Sequence, residues 1–87
     1  MTDAIVCDVD NTISHAKNGD YENAIPNMAI VEKLKCYKER GYEIVLYTAR
    51  NMRTYDGDVD MITKKTLPIL KAWLSRHGVP YDKIVIG

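Results

Sequence analysis

The chain has 87 residues, enough for one small α/β-sized domain over residues 1–87 and no more. Its 46% hydrophobic content supports a core, and 12 basic residues cancel 12 acidic ones to a formal net charge of +0. That balance leaves no electrostatic footprint for nucleic acid or an anionic membrane. No stretch is apolar over a bilayer's width, nothing resembles a secretory leader, and a cytoplasmic setting is expected.

The first predicted element is Ala4-Ile5-Val6-Cys7, a short apolar run that ends in Asp8. Its partly β-branched composition predicts a strand buried on both faces, as inside a parallel sheet. Asp10 and Thr12 follow at intervals of two. Ligands of open α/β sheets bind beyond the carboxyl ends of the strands, where this acid pair would lie. Asp, Asn and Thr are also ordinary turn residues, so the spacing alone leaves a plain turn open. An EF-hand calcium loop is excluded: Ile13 stands where the loop needs Gly, and Gly19 where it needs Glu. Cys7 and Cys36 have no metal or redox spacing, and Cys7 reads as a small buried hydrophobe.

Asn18-Gly19 predicts a tight hairpin turn in the segment after the first strand. His15 and Lys17 read as surface residues there. A helix follows, with Pro26 placed in its first turn and Ile30, Val31, Leu34 and Tyr37 as an apolar stripe. Gly41 stops it, after Lys38 and Arg40 in the last turn. The second strand is Tyr42 to Tyr47, running into Thr48, Ala49 and Arg50. Strand, helix and strand in that order imply parallel pairing, which brings Thr48 to the same sheet edge as Asp8. A hydroxyl there can donate to a phosphate oxygen. Arg50 and Arg53 suit planar contacts with phosphate or carboxylate; the plainer reading pairs them with Asp56 or Asp58 on the surface. Asp56, Asp58 and Asp60 read as a solvated acidic loop ahead of a helix. That helix is expected from Ile62 to His77, kinked at Pro68 as one long element, with Pro68 in a first turn capped by Thr66 as the alternative. Trp73 reads as core, His77 as a helix-end residue, and Tyr81 to Gly87 as a third strand.

The strand with Asp8, Asp10 and Thr12 resembles the first motif of the haloacid dehalogenase superfamily, most of whose members are phosphatases. Thr48 at the end of the second strand matches the superfamily's second motif. The stretches Lys17 to Ala24 and Arg50 to Tyr55 are similar to a subgroup of capsule and polysaccharide biosynthesis phosphatases, and the similarity extends over most of the chain. The resemblance implies a three-layer, Rossmann-like α/β core with a parallel sheet and a minimal cap. It implies Asp8 as nucleophile, forming an aspartyl phosphate, and Asp10 as the acid that protonates the leaving group and then activates water. It implies Thr12, Thr48, Ala49, Arg50 and Arg53 as phosphate- or substrate-binding residues. Mg²⁺ is the expected cofactor, held by Asp8 and Asp10, since a cation relieves the repulsion between such close carboxylates. The expected partner is a phosphorylated sugar or related small molecule, with self-association into a homo-oligomer left open. The superfamily's third motif, a Lys or Arg, is expected just after Gly87, and its acidic fourth motif later still. The 87 residues hold neither, so the core is expected to be truncated after its third strand. Two other classes stay open: a non-catalytic phosphate-binding or assembly module, and a receiver-type phosphoacceptor. The receiver reading is weak, because receivers accept the phosphoryl group after a later strand than the one that ends in Asp8.

Overall fold

The structure, a computed structural model, describes residues 3–17, 20–51 and 55–87. Among the described residues, five strands and three α-helices follow in the order β1 (Ala4–Asp8), β2 (Ser14–His15), β3 (Ile25–Pro26), α1 (Met28–Glu39), β4 (Glu43–Thr48), α2 (Val59–Lys65), α3 (Leu67–Arg76) and β5 (Lys83–Ile86), with a 3₁₀ turn at Tyr21–Asn23. Strands β1, β4 and β5 form a parallel sheet with β4 in the centre. Ile5 pairs with Ile44 and Cys7 with Leu46, while Leu46 pairs with Ile84. The β2 and β3 strands make a separate two-residue antiparallel pair, Ser14 with Pro26 and His15 with Ile25. The hairpin turn expected at Asn18-Gly19 lies outside the described residues.

Strand alternation sends successive side chains to opposite faces. Ile5, Cys7, Ile44, Leu46 and Ile84 therefore share one face. There they join Val31 and Leu34 of α1 and Leu70, Trp73 and Leu74 of α3 in one core. Trp73 is fully buried, and its indole N–H donates to the Ala24 carbonyl at 3.0 Å. This bond ties α3 to the segment that precedes β3. The fold is thus the expected mixed α/β, Rossmann-like core with a parallel sheet.

The expectation that β1 is buried on both faces is overturned. Val6 is 69% exposed, and Tyr47 and Val85 on the same side of the sheet are exposed too. Both helical crossovers pack on the face of Ile44 and Leu46. No helix among the described residues covers the opposite face, and β1 lies at the sheet's edge.

Two boundaries also move. Pro26 belongs to β3 and not to the first helix; Asn27 caps α1 by accepting from the Ile30 N–H at 3.4 Å. The long helix expected through Pro68 is two helices that meet at Thr66. Proline lacks the N–H a continuous helix needs and clashes with the preceding turn, so it sits in the first turn of α3. Thr66 stands at the cap position, but its hydroxyl accepts no helix N–H and instead donates to Asn51 Oδ1 at 2.9 Å. The chemistry of Thr66 thus goes to a loop of the site. Asp58 caps α2 by accepting from the Met61 N–H at 3.2 Å, which gives the acidic loop its structural role.

Candidate active site

The site is built on the turn after β1. The Val9 N–H donates to the Tyr47 carbonyl at 3.0 Å and extends the sheet by one bond. The Val9 carbonyl then accepts from the N–H groups of Thr12, Ile13 and Ser14. Val9 and Ile13 are fully buried, so their side chains anchor the turn in the core. Asn11 has φ of 65°, a left-handed conformation that asparagine tolerates better than most residues. The turn therefore leaves two carboxylates, Asp8 and Asp10, at the carboxyl edge of the sheet.

Their surroundings differ. Asp8 lies on the side of the sheet that carries Val6, and its carboxylate is exposed. No hydrogen bond or ion pair to it forms among the described residues. Asp10 is locked. One oxygen accepts from Arg50 Nε at 3.0 Å and Nη2 at 2.8 Å. The other accepts from the Thr48 hydroxyl at 2.8 Å. The Asp10 side chain keeps 28% of its surface, against 1% for Arg50.

Arg50 is placed by three further features. Its N–H donates to the Thr48 hydroxyl oxygen at 3.1 Å. Its guanidinium carbon lies 4.1 Å from the centre of the Tyr21 ring, a cation–π arrangement. Asn51, the next residue, turns the chain with φ of 63°. Arg50 Nη1 is buried without a hydrogen-bond partner among the described residues. A buried charge costs free energy unless paired and fully hydrogen-bonded. A lone orphan donor on an otherwise well-held guanidinium therefore suits a group that holds other atoms in place.

These contacts revise the expected partners. Arg50 is not a surface charge paired with Asp56 or Asp58; it is buried against Asp10. The Thr48 hydroxyl proton is directed at Asp10. Thr12 is half-buried in the turn, with its N–H on Val9 at 3.3 Å, and Ala49 is exposed between Thr48 and Arg50. Arg53 lies outside the described residues. Burial, with the Asp8 charge adding to it, pushes the Cys7 thiol above its ordinary value, so Cys7 is a packing residue beside the site and a poor nucleophile.

Two residues important to the site carry no signal in the motif spacing. Tyr21 belongs to the 3₁₀ turn and meets Arg50 only through the fold. Ser14 is buried, and its hydroxyl has no partner. It lines a cavity of about 200 Å³ with Asp10, Asn11, Ala16 and Tyr21. A second cavity, of about 340 Å³, shares Tyr21 with the first and is also lined by Glu22, Arg50, Tyr55 and Lys65.

The oxygen donors that suit a hard cation here are the bare Asp8 carboxylate and the Asp10 main-chain carbonyl. That carbonyl is not among the acceptors that close the turn, which are those of Val9 and Ser14. Among the described residues no group of three His, Cys, Asp or Glu side chains could hold a metal ion.

A parallel, Rossmann-like sheet with an acid pair beyond its first strand defines the class: a mixed α/β fold. The chain matches no family model and no curated protein. Two solved chains agree with the fold at 18% identity. One, in a Pnkp1/Rnl/Hen1 complex, has a TM-score of 0.72 over 99% of this chain and 28% of its own length. The other, in the Pnkp1/Rnl/Hen1 RNA repair complex, has a TM-score of 0.66 over 99% of this chain and 25% of its own. A crystal structure of an MCSG target protein from Vibrio cholerae is much nearer, at 45% identity and a TM-score of 0.93 over 98% of this chain and 69% of that one. The chain belongs to the same family as that Vibrio cholerae protein. Among the described residues no helix is long and apolar enough to cross a membrane.

Proposed function

We propose that the chain is a phosphomonoester hydrolase of the haloacid dehalogenase type, acting on a phosphorylated sugar or polysaccharide precursor through an aspartyl phosphate on Asp8. The observation that carries this reading is the division of labour between the two acids. One carboxylate is bare and exposed; the other, two residues on, is fixed by Thr48 and Arg50. A covalent nucleophile needs access, and a group that moves protons needs a fixed position.

In this reading an Asp8 oxygen attacks phosphorus and the bond to the ester oxygen breaks. The departing oxygen takes a proton from Asp10, which must enter this step in its carboxylic acid form, with one of its contacts to Arg50 or Thr48 released. Water then attacks phosphorus, gives its proton to Asp10, and the bond to Asp8 breaks to release inorganic phosphate. Arg50 and Thr48 act by holding Asp10, and phosphoryl transfer depends chiefly on such positioning and on charge stabilisation. Mg²⁺, held by the Asp8 carboxylate and the Asp10 carbonyl, would supply charge neutralisation for the phosphoryl oxygens.

The test is Mg²⁺-dependent phosphate release from an aryl phosphate by this chain and by Asp8→Asn. The 87 residues hold neither the Lys nor the second acidic pair that the resemblance calls for, so their own release is expected to be negligible, and any release is expected to be abolished in Asp8→Asn. Release that persists in the variant overturns Asp8 as nucleophile. Tight binding of a phosphate ester without release by a folded chain would favour the non-catalytic binding module.

A further inference from the structure

Ser14 is a buried residue that the steps above leave unused. Its backbone is fully committed. The N–H donates to the Val9 carbonyl at 2.9 Å, the carbonyl accepts from the Asn11 N–H at 2.8 Å, and the residue pairs with Pro26 across β2 and β3. The side chain is therefore held in one place, and Ser14 is only 1% exposed. Its hydroxyl has no hydrogen-bond partner among the described residues. Leaving a buried hydroxyl unpaired costs more than a typical hydrogen bond contributes, and alanine would fill the same space without that cost. Asp10 has a matching place. A carboxylate offers about four acceptor positions. Among the described residues one Asp10 oxygen accepts from Arg50 Nε and Nη2, while the other accepts only from the Thr48 hydroxyl. One position on that second oxygen stays free.

We propose that the cavity shared by Ser14 and Asp10 is a hydration site, in which an ordered water bridges the Ser14 hydroxyl to the Asp10 carboxylate, and that Ser14 is thereby a positioning residue for Asp10. The two residues line the same space of about 200 Å³, with Asn11, Ala16 and Tyr21. A water takes up about 30 Å³ in the liquid and needs roughly two to four polar partners. The Asp10 carboxylate, the Ser14 hydroxyl and the Asn11 amide supply them, and Ala16 adds only a methyl group. The occupant has to donate to the free position on Asp10 and also satisfy a hydroxyl. An anion cannot donate to the carboxylate; water donates to it and accepts from Ser14. The carboxylate is then held from β2 as well as from Thr48 and Arg50. This site does not depend on the phosphatase reading. Under that reading it adds Ser14 to the residues that fix the acid.

The experiment has two arms. A crystal structure of the native chain, at a resolution that places waters, is expected to show one within hydrogen-bond distance of both Ser14 Oγ and an Asp10 carboxylate oxygen. A protein atom bonded to Ser14 Oγ, or a dry cavity, overturns the site. In the second arm Ser14→Ala and Ser14→Thr are compared with the native chain by urea melts and by the side-chain carboxyl ¹³C resonances of Asp10 and Asp82. Ser14→Ala is expected to raise the unfolding equilibrium constant by roughly fivefold, the scale of one net hydrogen bond. It is also expected to move the Asp10 resonance and leave that of Asp82, at the other end of the sheet, in place. Ser14→Thr keeps the hydroxyl and is expected to restore both readouts. An alanine variant as stable as the native chain, or more so, means that the hydroxyl had no partner and overturns the bridge. Lost stability with an unmoved Asp10 resonance overturns the positioning role. The crystal arm uses the native chain, so it decides the site even where a variant fails to fold.

Discussion

Asp8 and Asp10 leave the same strand end two residues apart, yet one is bare and the other is held by three hydrogen bonds. Strand alternation puts Asp8 on the uncovered side of the sheet, with Val6 and facing solvent. The turn through Val9 and Asn11 delivers Asp10 to the buried pair Thr48 and Arg50. A carboxylate available for attack contributes little to stability, and a carboxylate in a lock contributes much. Substitutions of the two acids are therefore expected to separate cleanly between stability and chemistry.

The largest effect is expected at the lock. Asp10→Ala leaves the Arg50 guanidinium buried without its counter-charge, and breaking a buried pair in this way costs about 3 kcal/mol. Arg50→Met is expected to cost less, about 1–2 kcal/mol, because Asp10 keeps access to water and the methionine refills the space above Tyr21. Urea melts of both variants check the order. An Asp10→Ala chain as stable as wild type would show that the lock is decoration and would break the comparison.

Thr48→Val comes next. It keeps the shape but removes the donor to Asp10 and the acceptor for the Arg50 N–H, at a cost of about 1–2 kcal/mol. In a double-mutant cycle Thr48→Val and Arg50→Met should couple, since both act on the same carboxylate; strict additivity would argue that they hold Asp10 independently.

A third carboxylate, at the other end of the sheet, gives a smaller and purely structural contrast. Asp82 accepts from the Ile44 N–H at 2.7 Å and pairs with Lys38 of α1. The Lys38 hydrogen bond, then that of Ile44, hold its pKa below the ordinary carboxylate value. A carboxyl with a depressed folded pKa contributes stability that is present above its unfolded value, about 3.9, and is lost as pH falls through the folded value. Thermal unfolding from about pH 5 downward should therefore show a shallower acid loss in Asp82→Asn than in wild type. Identical acid limbs would remove Asp82 from the set of carboxylates that stabilise the fold.

Much of this was legible in the residues and some was not. The apolar runs that end in Asp8 and Thr48 gave two parallel strands and their shared edge, because burial and the end of a strand are local properties. The stripe Ile30, Val31, Leu34 and Tyr37 gave the inner face of α1 for the same reason. What a local pattern cannot carry is which side of a sheet is covered. Val6 has the composition of a buried strand and is exposed because both crossovers pack on the other face. The Arg50–Asp10 pair was equally hidden. Arg50 had Asp56 and Asp58 nearer in sequence, and only the pairing of β1 with β4 brings it beside Asp10. Pro68 shows the opposite failure: the signal was present, and the apolar periodicity running through it outweighed the missing N–H that in fact divides the helix.

The smallest stability effect is the one that sharpens the comparison most. Asp8→Asn is expected to stay within about 0.5 kcal/mol of wild type in the same urea melts, as for surface substitutions away from any pair. Removing a charge beside Asp10 relieves some repulsion, so the sign should be zero or slightly stabilising. The same variant should lose all covalent phosphoryl labelling, read by intact-mass measurement after rapid acid quench. Stability kept and labelling lost would mean that the two acids are divided by environment into an accessible reacting group and a fixed one. A marked loss of stability would instead make Asp8 a structural member of the turn, and its exposure would no longer argue for chemistry.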